Sequence, residues 1–138
     1  MDREWHTDRV NREIAPAKIA LPAANYAHAM LSEQPERWLH TSGVVPIAPD
    51  GSVPGPIAEQ ADVVWANLLA MLEEADMAPG DVVSVTTYIV VDHLPSLAVV
   101  MAARDRHLLG HRVASTLVTV PALARPEWKM EIALVAAR

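Results

Sequence analysis

Apolar and polar positions along this chain follow two different periods, and the order of those periods predicts its elements. From Ile57 to Met77 the residues Ile57, Ala61, Val64, Leu68, Met71, Leu72 and Ala75 recur at helical spacing, while Glu59, Asp62, Glu73 and Glu74 fall mainly off that stripe. The pattern predicts a helix that Pro79-Gly80 terminates. A second helix is predicted in DHLPSLAVVMAARDRHLLG, with Pro95 in its first turn and Gly110 as its stop. Between them DVVSVTTYIVV, at 81–91, is β-branched and continuous enough to be a buried central strand. ASTLVTV and KMEIALVAA close the chain as two strands joined by PALARPEW. Earlier, Pro16 and Pro22 break REIAPAKIALPAANYAHAML into short extended pieces. Within it YAHAML reads as a strand; RWLHTSGVV at 37–45 reads as the next, and the proline-rich PIAPDGSVPGP as loop.

Strands, helix, strand, helix and two strands make an α+β domain, satisfied by one mixed sheet with two helices packed on one face. Each helix then joins strands that can lie parallel, by a right-handed crossover. The opposite sheet face is left bare, and strands this apolar on both sides predict self-association there. A length of 138 residues suits a single domain, with residues 1–10 as a flexible N-terminal extension.

Composition narrows the function classes. The chain is 51% hydrophobic but has no Phe and only two Tyr, so its core must be built from small aliphatic side chains. A net charge of −6, with 11 scattered Lys and Arg, argues against a nucleic-acid surface. Zero cysteines exclude disulfides and thiolate chemistry. MDREWHTDRVNRE lacks the apolar segment of a signal peptide, and no apolar run approaches membrane-spanning length. The expectation is a cytoplasmic protein with no membrane partner.

Candidate chemistry centres on the last strand. Alternation puts Met130, Ile132, Leu134 and Ala136 on one face and Glu131, Ala133 and Val135 on the other. Glu131 thus shares its face with apolar neighbours. It reads equally as a rim residue reaching water or as a partly desolvated carboxylate able to act as acid or base near neutral pH. Tyr26 and the segment LHTSGVVP offer a phenol and hydroxyls near strand ends, and Ser42-Gly43 marks a bulge or tight bend. Arg112 and Arg125 flank the last two strands, where a guanidinium is the natural anchor for a substrate carboxylate, or an ordinary solvated loop residue. Trp128 either walls a pocket or packs under a loop. No G-x-S-x-G elbow or phosphate-binding glycine loop is present, and the histidines lack metal-ligand spacing, so a zinc site is not expected.

Taken together, the motifs resemble the RidA/YjgF (reactive intermediate deaminase) family over most of the chain. APAKIALPAANYAHAM is similar to that family's A-P…G-P-Y-S-Q-A stretch, and LHTSGVVPIAPDG to its T-S-G-Q-x-P segment and D-x-x-G turn. DVVSVTTYIVVDHLPSLAVV resembles its D-V-V-K-x-T-x-F/Y-x-x-D…F-x-x-V segment, and ASTLVTV…KMEIALVAA its R-S/T-x-V…V-E-I-E-A-I-A ending. The resemblance implies a chorismate-mutase-like fold of about six strands and two helices. It also implies a homotrimer whose sheets close into a barrel, with substrate clefts between subunits. It further implies hydrolysis of reactive enamines and imines to carbonyl compounds and ammonia, without a cofactor.

Carried over residue by residue, Glu131 falls on the acidic residue of the family site and Tyr26 on its pocket Tyr. His28 stands where Gln is usual, and Ser42 and Gly43 match the strand-turn segment. Ser115 follows the position of the family's substrate-anchoring Arg, which here is Ala114. Arg112, two residues upstream, is the candidate displaced anchor, and Trp128 a wall for a less polar substrate. The second Glu of the family ending is replaced by Ala133. An imine-hydrolysing enzyme is therefore expected, with a non-catalytic metabolite-binding trimer as the alternative. A ribonuclease is disfavoured by the acidic balance.

Overall fold

The computed structural model of the chain describes residues 10–138. Its main sheet has four strands: β3 (Trp38–His40), β4 (Val82–Val90), β5 (Ala114–Val120) and β6 (Met130–Ala137), in the order β3-β6-β4-β5. β6 runs antiparallel to both β3 and β4, while β4 and β5 are parallel. β1 (Asn11–Ile14) and β2 (Ala29–Ser32) form a separate antiparallel pair. An Ala27–Ala114 bridge joins the approach to β2 to the edge of β5. The expected mixed sheet is thus present as a four-stranded body and a two-stranded flap. The expectation for the N-terminal extension lies outside the described residues except at Val10, whose carbonyl accepts a hydrogen bond from Glu33 N.

Two helices cover one face: α1 (Ile57–Glu74) and α2 (Leu97–His107). The core forms where α1 presents Val64, Trp65, Leu68 and Leu72 to Val85 and Ile89 of β4 and to Met130, Ile132 and Leu134 of β6. All nine side chains are at most 2% exposed. With no Phe available, Trp65 is the largest buried side chain, and His107 of α2 stacks parallel to it at 6.2 Å.

Three boundaries differ from the sequence expectation, each for a local reason. α1 stops at Glu74, short of Met77, because Asp76 adopts a left-handed φ of 58°. Met77 N then donates back to Leu72 O at 2.8 Å, closing the helix end with the buried Met77 side chain beneath it. The second helical segment begins as a 3-10 turn over Val91–Ser96, where Pro95 sits, and becomes α-helix only from Leu97. The strand expected over 37–45 is interrupted after His40. His40 pairs with Val135 and Val44 bridges Ile132, so four steps on one strand oppose three on the other. Thr41 Oγ1 accepts the Leu134 N–H at 3.0 Å across this bulge.

Candidate functional site

Glu131 lies on the sheet face turned away from the helices and is half-buried there. Its direct cross-strand partner is Tyr88 of β4, and Tyr88 is in turn paired with Val118 of β5. One step along lie Ala133, Thr86 and Thr116, all neutral. The bulge at 41–43 carries Gly43 against the carboxylate: a Cβ built on Gly43 would collide with Glu131 Oε2 and lie 3.0 Å from Cδ. Glycine here leaves the carboxylate its place, since a side chain at position 43 would push the acid aside. Glu131 forms no ion pair among the described residues. A carboxylate in this setting can hold a water molecule, accept its proton, and work against the neighbouring phenol.

The other candidates lie elsewhere in the protomer. Tyr26 accepts a hydrogen bond from Ala23 N at 3.3 Å, and its ring meets His28 edge-on at 6.0 Å. It adjoins Ala27, three strands from β6 and four residues along the sheet from the Glu131 row. At ~4.8 Å per strand and ~3.3 Å per residue the two are on the order of 15–20 Å apart. His28 Nε2 lies 2.7 Å from Ala20 O.

Arg112 Nη2 donates to Glu13 Oε2 at 3.0 Å and to Tyr26 O at 2.7 Å, and its Nε is buried without a partner. Ser115 faces the helix side, opposite in register to Val85, and accepts from Arg104 Nη1 at 3.1 Å. Ser42 is exposed beside Gly43 and, with Leu39, Val44, Ile47 and Met71, lines an apolar groove of about 770 Å³ against α1. Trp128 lies in the β5–β6 loop with Arg125 over its ring at 5.5 Å, and its indole Nε1 is buried without a partner. Among the described residues, no three His, Asp or Glu side chains gather as metal ligands would.

The profile of the Endoribonuclease L-PSP family matches residues 17–138. The chain belongs to this family, the Rid/YjgF family. Protein HMF1 of Saccharomyces cerevisiae is 32% identical over 113 residues, covering 80% of this chain and 80% of HMF1. The mitochondrial Protein MMF1 of the same yeast is 29% identical over 108 residues, 77% of this chain and 71% of that one. Among solved structures, the Rid-family protein YyfB of Yersinia pestis superposes with a TM-score of 0.84 at 30% identity, covering 94% of this chain and 99% of that chain. The YjgF gene product of E. coli gives 0.68 at 27% identity, covering 92% and 98%.

Two side chains of this Rid/YjgF chain escaped sequence reasoning. Tyr88 was visible only as one residue of an apolar strand. Alternation would have placed it opposite Ile89, but its pairing with Glu131 depends on the β4–β6 register. That register shifts at a bulge between Val82 and Ser84. Arg104 is 3% exposed, a buried cation on α2 that reaches Asp105, Ser115 and the Asn25 carbonyl. Its apolar helical surroundings held one signal, since Arg104 falls one turn after Val100 on the packed side.

Proposed function

We propose that this Rid/YjgF protein hydrolyses a small reactive imine, or the enamine that tautomerises to it, to a carbonyl compound and ammonia. The observation that carries the reading is the Glu131 carboxylate, half-buried, without an ion pair among the described residues, and held between the Gly43 backbone and Tyr88. Water bound to Glu131 attacks the C=N carbon, and the carboxylate takes the proton that the forming C–O bond releases. Bound geometry then provides much of the acceleration, because the electrophile is already reactive. In this reading Tyr26 and His28 belong to a second copy of the chain, packed on the open sheet face so that its early segment reaches Glu131. A homotrimer with clefts between subunits is the assembly proposed, in the cytoplasm.

The second reading, a non-catalytic trimer that binds a small metabolite, draws on the state of Arg112. That guanidinium is engaged by Glu13 and Tyr26 O, and Ala114 supplies no replacement. Ribonuclease action, which the matched family's name suggests, is not favoured by a net charge of −6.

The test is the decay of several imines generated in situ from amino acids or amines by an oxidase. Hydrolysis predicts faster decay with the protein present and loss of that acceleration in Glu131→Gln. Decay unchanged by the wild-type protein would leave the binding reading.

A further inference from the structure

The charges around Glu131 bear on what it binds. Its cross-strand row is Glu131, Tyr88 and Val118, and the next row is Ala133, Thr86 and Thr116, so the acid is the only charge among them. Directly opposed side chains on neighbouring strands hold their Cβ atoms about 4.5–5.5 Å apart, so Tyr88 stands directly beside Glu131. A carboxylate beside an aromatic ring is a receptor for an organic cation, through charge pairing and attraction to the ring face.

Among the described residues, five basic side chains are candidates to offset this charge, and each is directed elsewhere. Arg125 lies over the Trp128 ring at 5.5 Å. Lys129, two residues before Glu131, donates its ammonium to Gly55 O at 2.6 Å. Arg112 is paired with Glu13 at 3.0 Å. Arg104 is buried on the helix side with Asp105 and Ser115. His40, on the same face four residues along the pairing partner, stacks on Trp38 at 6.0 Å. Position 114, paired with Ser84 on the open face, is an alanine. Among the described residues of the protomer, a substrate carboxylate beside Glu131 would meet like charge without an anchoring cation. Arg112, which would accompany Tyr26 from a second copy, is already paired with Glu13.

We infer that this site takes a carboxylate-free iminium derived from a simple amine, held as a cation between Glu131 and Tyr88. The inference rests on the hydrolytic reading above and specifies its substrate class. Water adds to the iminium carbon as Glu131 accepts one water proton and the C=N π electrons move to nitrogen, giving a neutral carbinolamine. Glu131 returns that proton to nitrogen, the C–N bond breaks, and the hydroxyl proton passes to the departing ammonia. The balance is R–CH=NH2⁺ plus water to R–CHO plus NH4⁺.

The experiment compares two imines that differ by one carboxylate, formed in situ from 2-phenylethylamine by an amine oxidase and from phenylalanine by an amino-acid oxidase. A parallel calorimetric arm measures binding of 2-phenylethylammonium and of 3-phenylpropanoate to the full chain. The expected result is at least about a tenfold preference for the carboxylate-free member in both arms. In the binding arm Glu131→Gln removes the preference; Tyr88→Leu weakens ammonium binding several-fold and Tyr88→Phe retains it. Equal or better use of the carboxylated member overturns the inference while leaving hydrolysis standing, and loss of that use in Lys129→Ala or Arg112→Ala would identify its anchor. Ammonium binding that needs Glu131, with neither imine accelerated, upholds the charge inference and removes the hydrolytic reading. Neither binding nor acceleration removes both.

Discussion

The backbone of Gly43 and the carboxylate of Glu131 occupy adjoining space, so that a methyl group at position 43 would overlap Oε2. The atom in the way is the far end of a flexible side chain, so relief comes from swinging the acid aside. Gly43→Ala should therefore lower imine hydrolysis by about tenfold or more, the usual scale for a displaced acid or base. Stability should change by less than about 1 kcal/mol, because no core packing is disturbed. Decay kinetics and urea unfolding on the same variant check the two halves; a loss of stability equal to the loss of activity would assign Gly43 a folding role instead.

Asp62 ties α1 to α2. His107 lies 3.0 Å from its Oδ1 and Arg106 2.6 Å, and the His107 hydrogen bond, then Arg106, hold its carboxyl below the ordinary carboxylate range. A depressed folded pKa stabilises above the unfolded value, near ~4, and that contribution is lost as pH falls through the folded value. Both carboxylate and Arg106 are more than half exposed, so solvent screening limits the worth to below about 1 kcal/mol. Asp62→Asn should lower stability by that amount at pH 7 and leave it unchanged near pH 2. Chemical denaturation at the two pH values decides it.

Arg104 is a buried cation whose guanidinium reaches Asp105, Ser115 Oγ and Asn25 O. Removing it orphans the Asn25 carbonyl, empties volume under α2, and loosens the segment that carries Tyr26. Arg104→Ala should cost about 2–4 kcal/mol. Arg104→Lys should recover only part of this, since an ammonium cannot match the guanidinium fork. Thermal unfolding of both variants measures the difference.

Gln60 is fully buried at the start of α1 and uses every polar atom of its amide. It donates to Pro54 O at 2.8 Å and Glu127 O at 2.9 Å, and accepts from Lys129 N at 2.9 Å. The contacts staple the β5–β6 loop just before Glu131. Gln60→Leu leaves three backbone groups unpaired and should cost about 1–3 kcal/mol. The Lys129 amide should then exchange with solvent deuterium markedly faster, a change absent if the loop is held by Trp128 packing alone.

Much of this architecture is readable from periodicity. Ala61, Val64, Leu68 and Leu72 of the expected stripe are buried by α1, joined by Gln60 and Trp65 while Met71 is exposed. The β6 alternation separates Met130, Ile132, Leu134 and Ala136 from Glu131 as expected. Those signals are local, spaced by the pitch of a helix or the pleat of a strand. Helix ends were less legible, because the left-handed turn at Asp76 uses a residue other than glycine.

Residue order by itself determined the two helices, the mixed sheet, and the placing of one acid among apolar neighbours on the last strand. Tertiary structure alone decided that acid's company. Tyr88 rather than Tyr26 stands beside Glu131 within the protomer, and Arg112 and Ser115 are held by Glu13 and Arg104. The reason is physical: alternation assigns a side chain to a face, but strand order and register, shifted here by bulges at 41–43 and at Val83, assign it a neighbour. Those pairings form between segments tens of residues apart, where no local spacing encodes them.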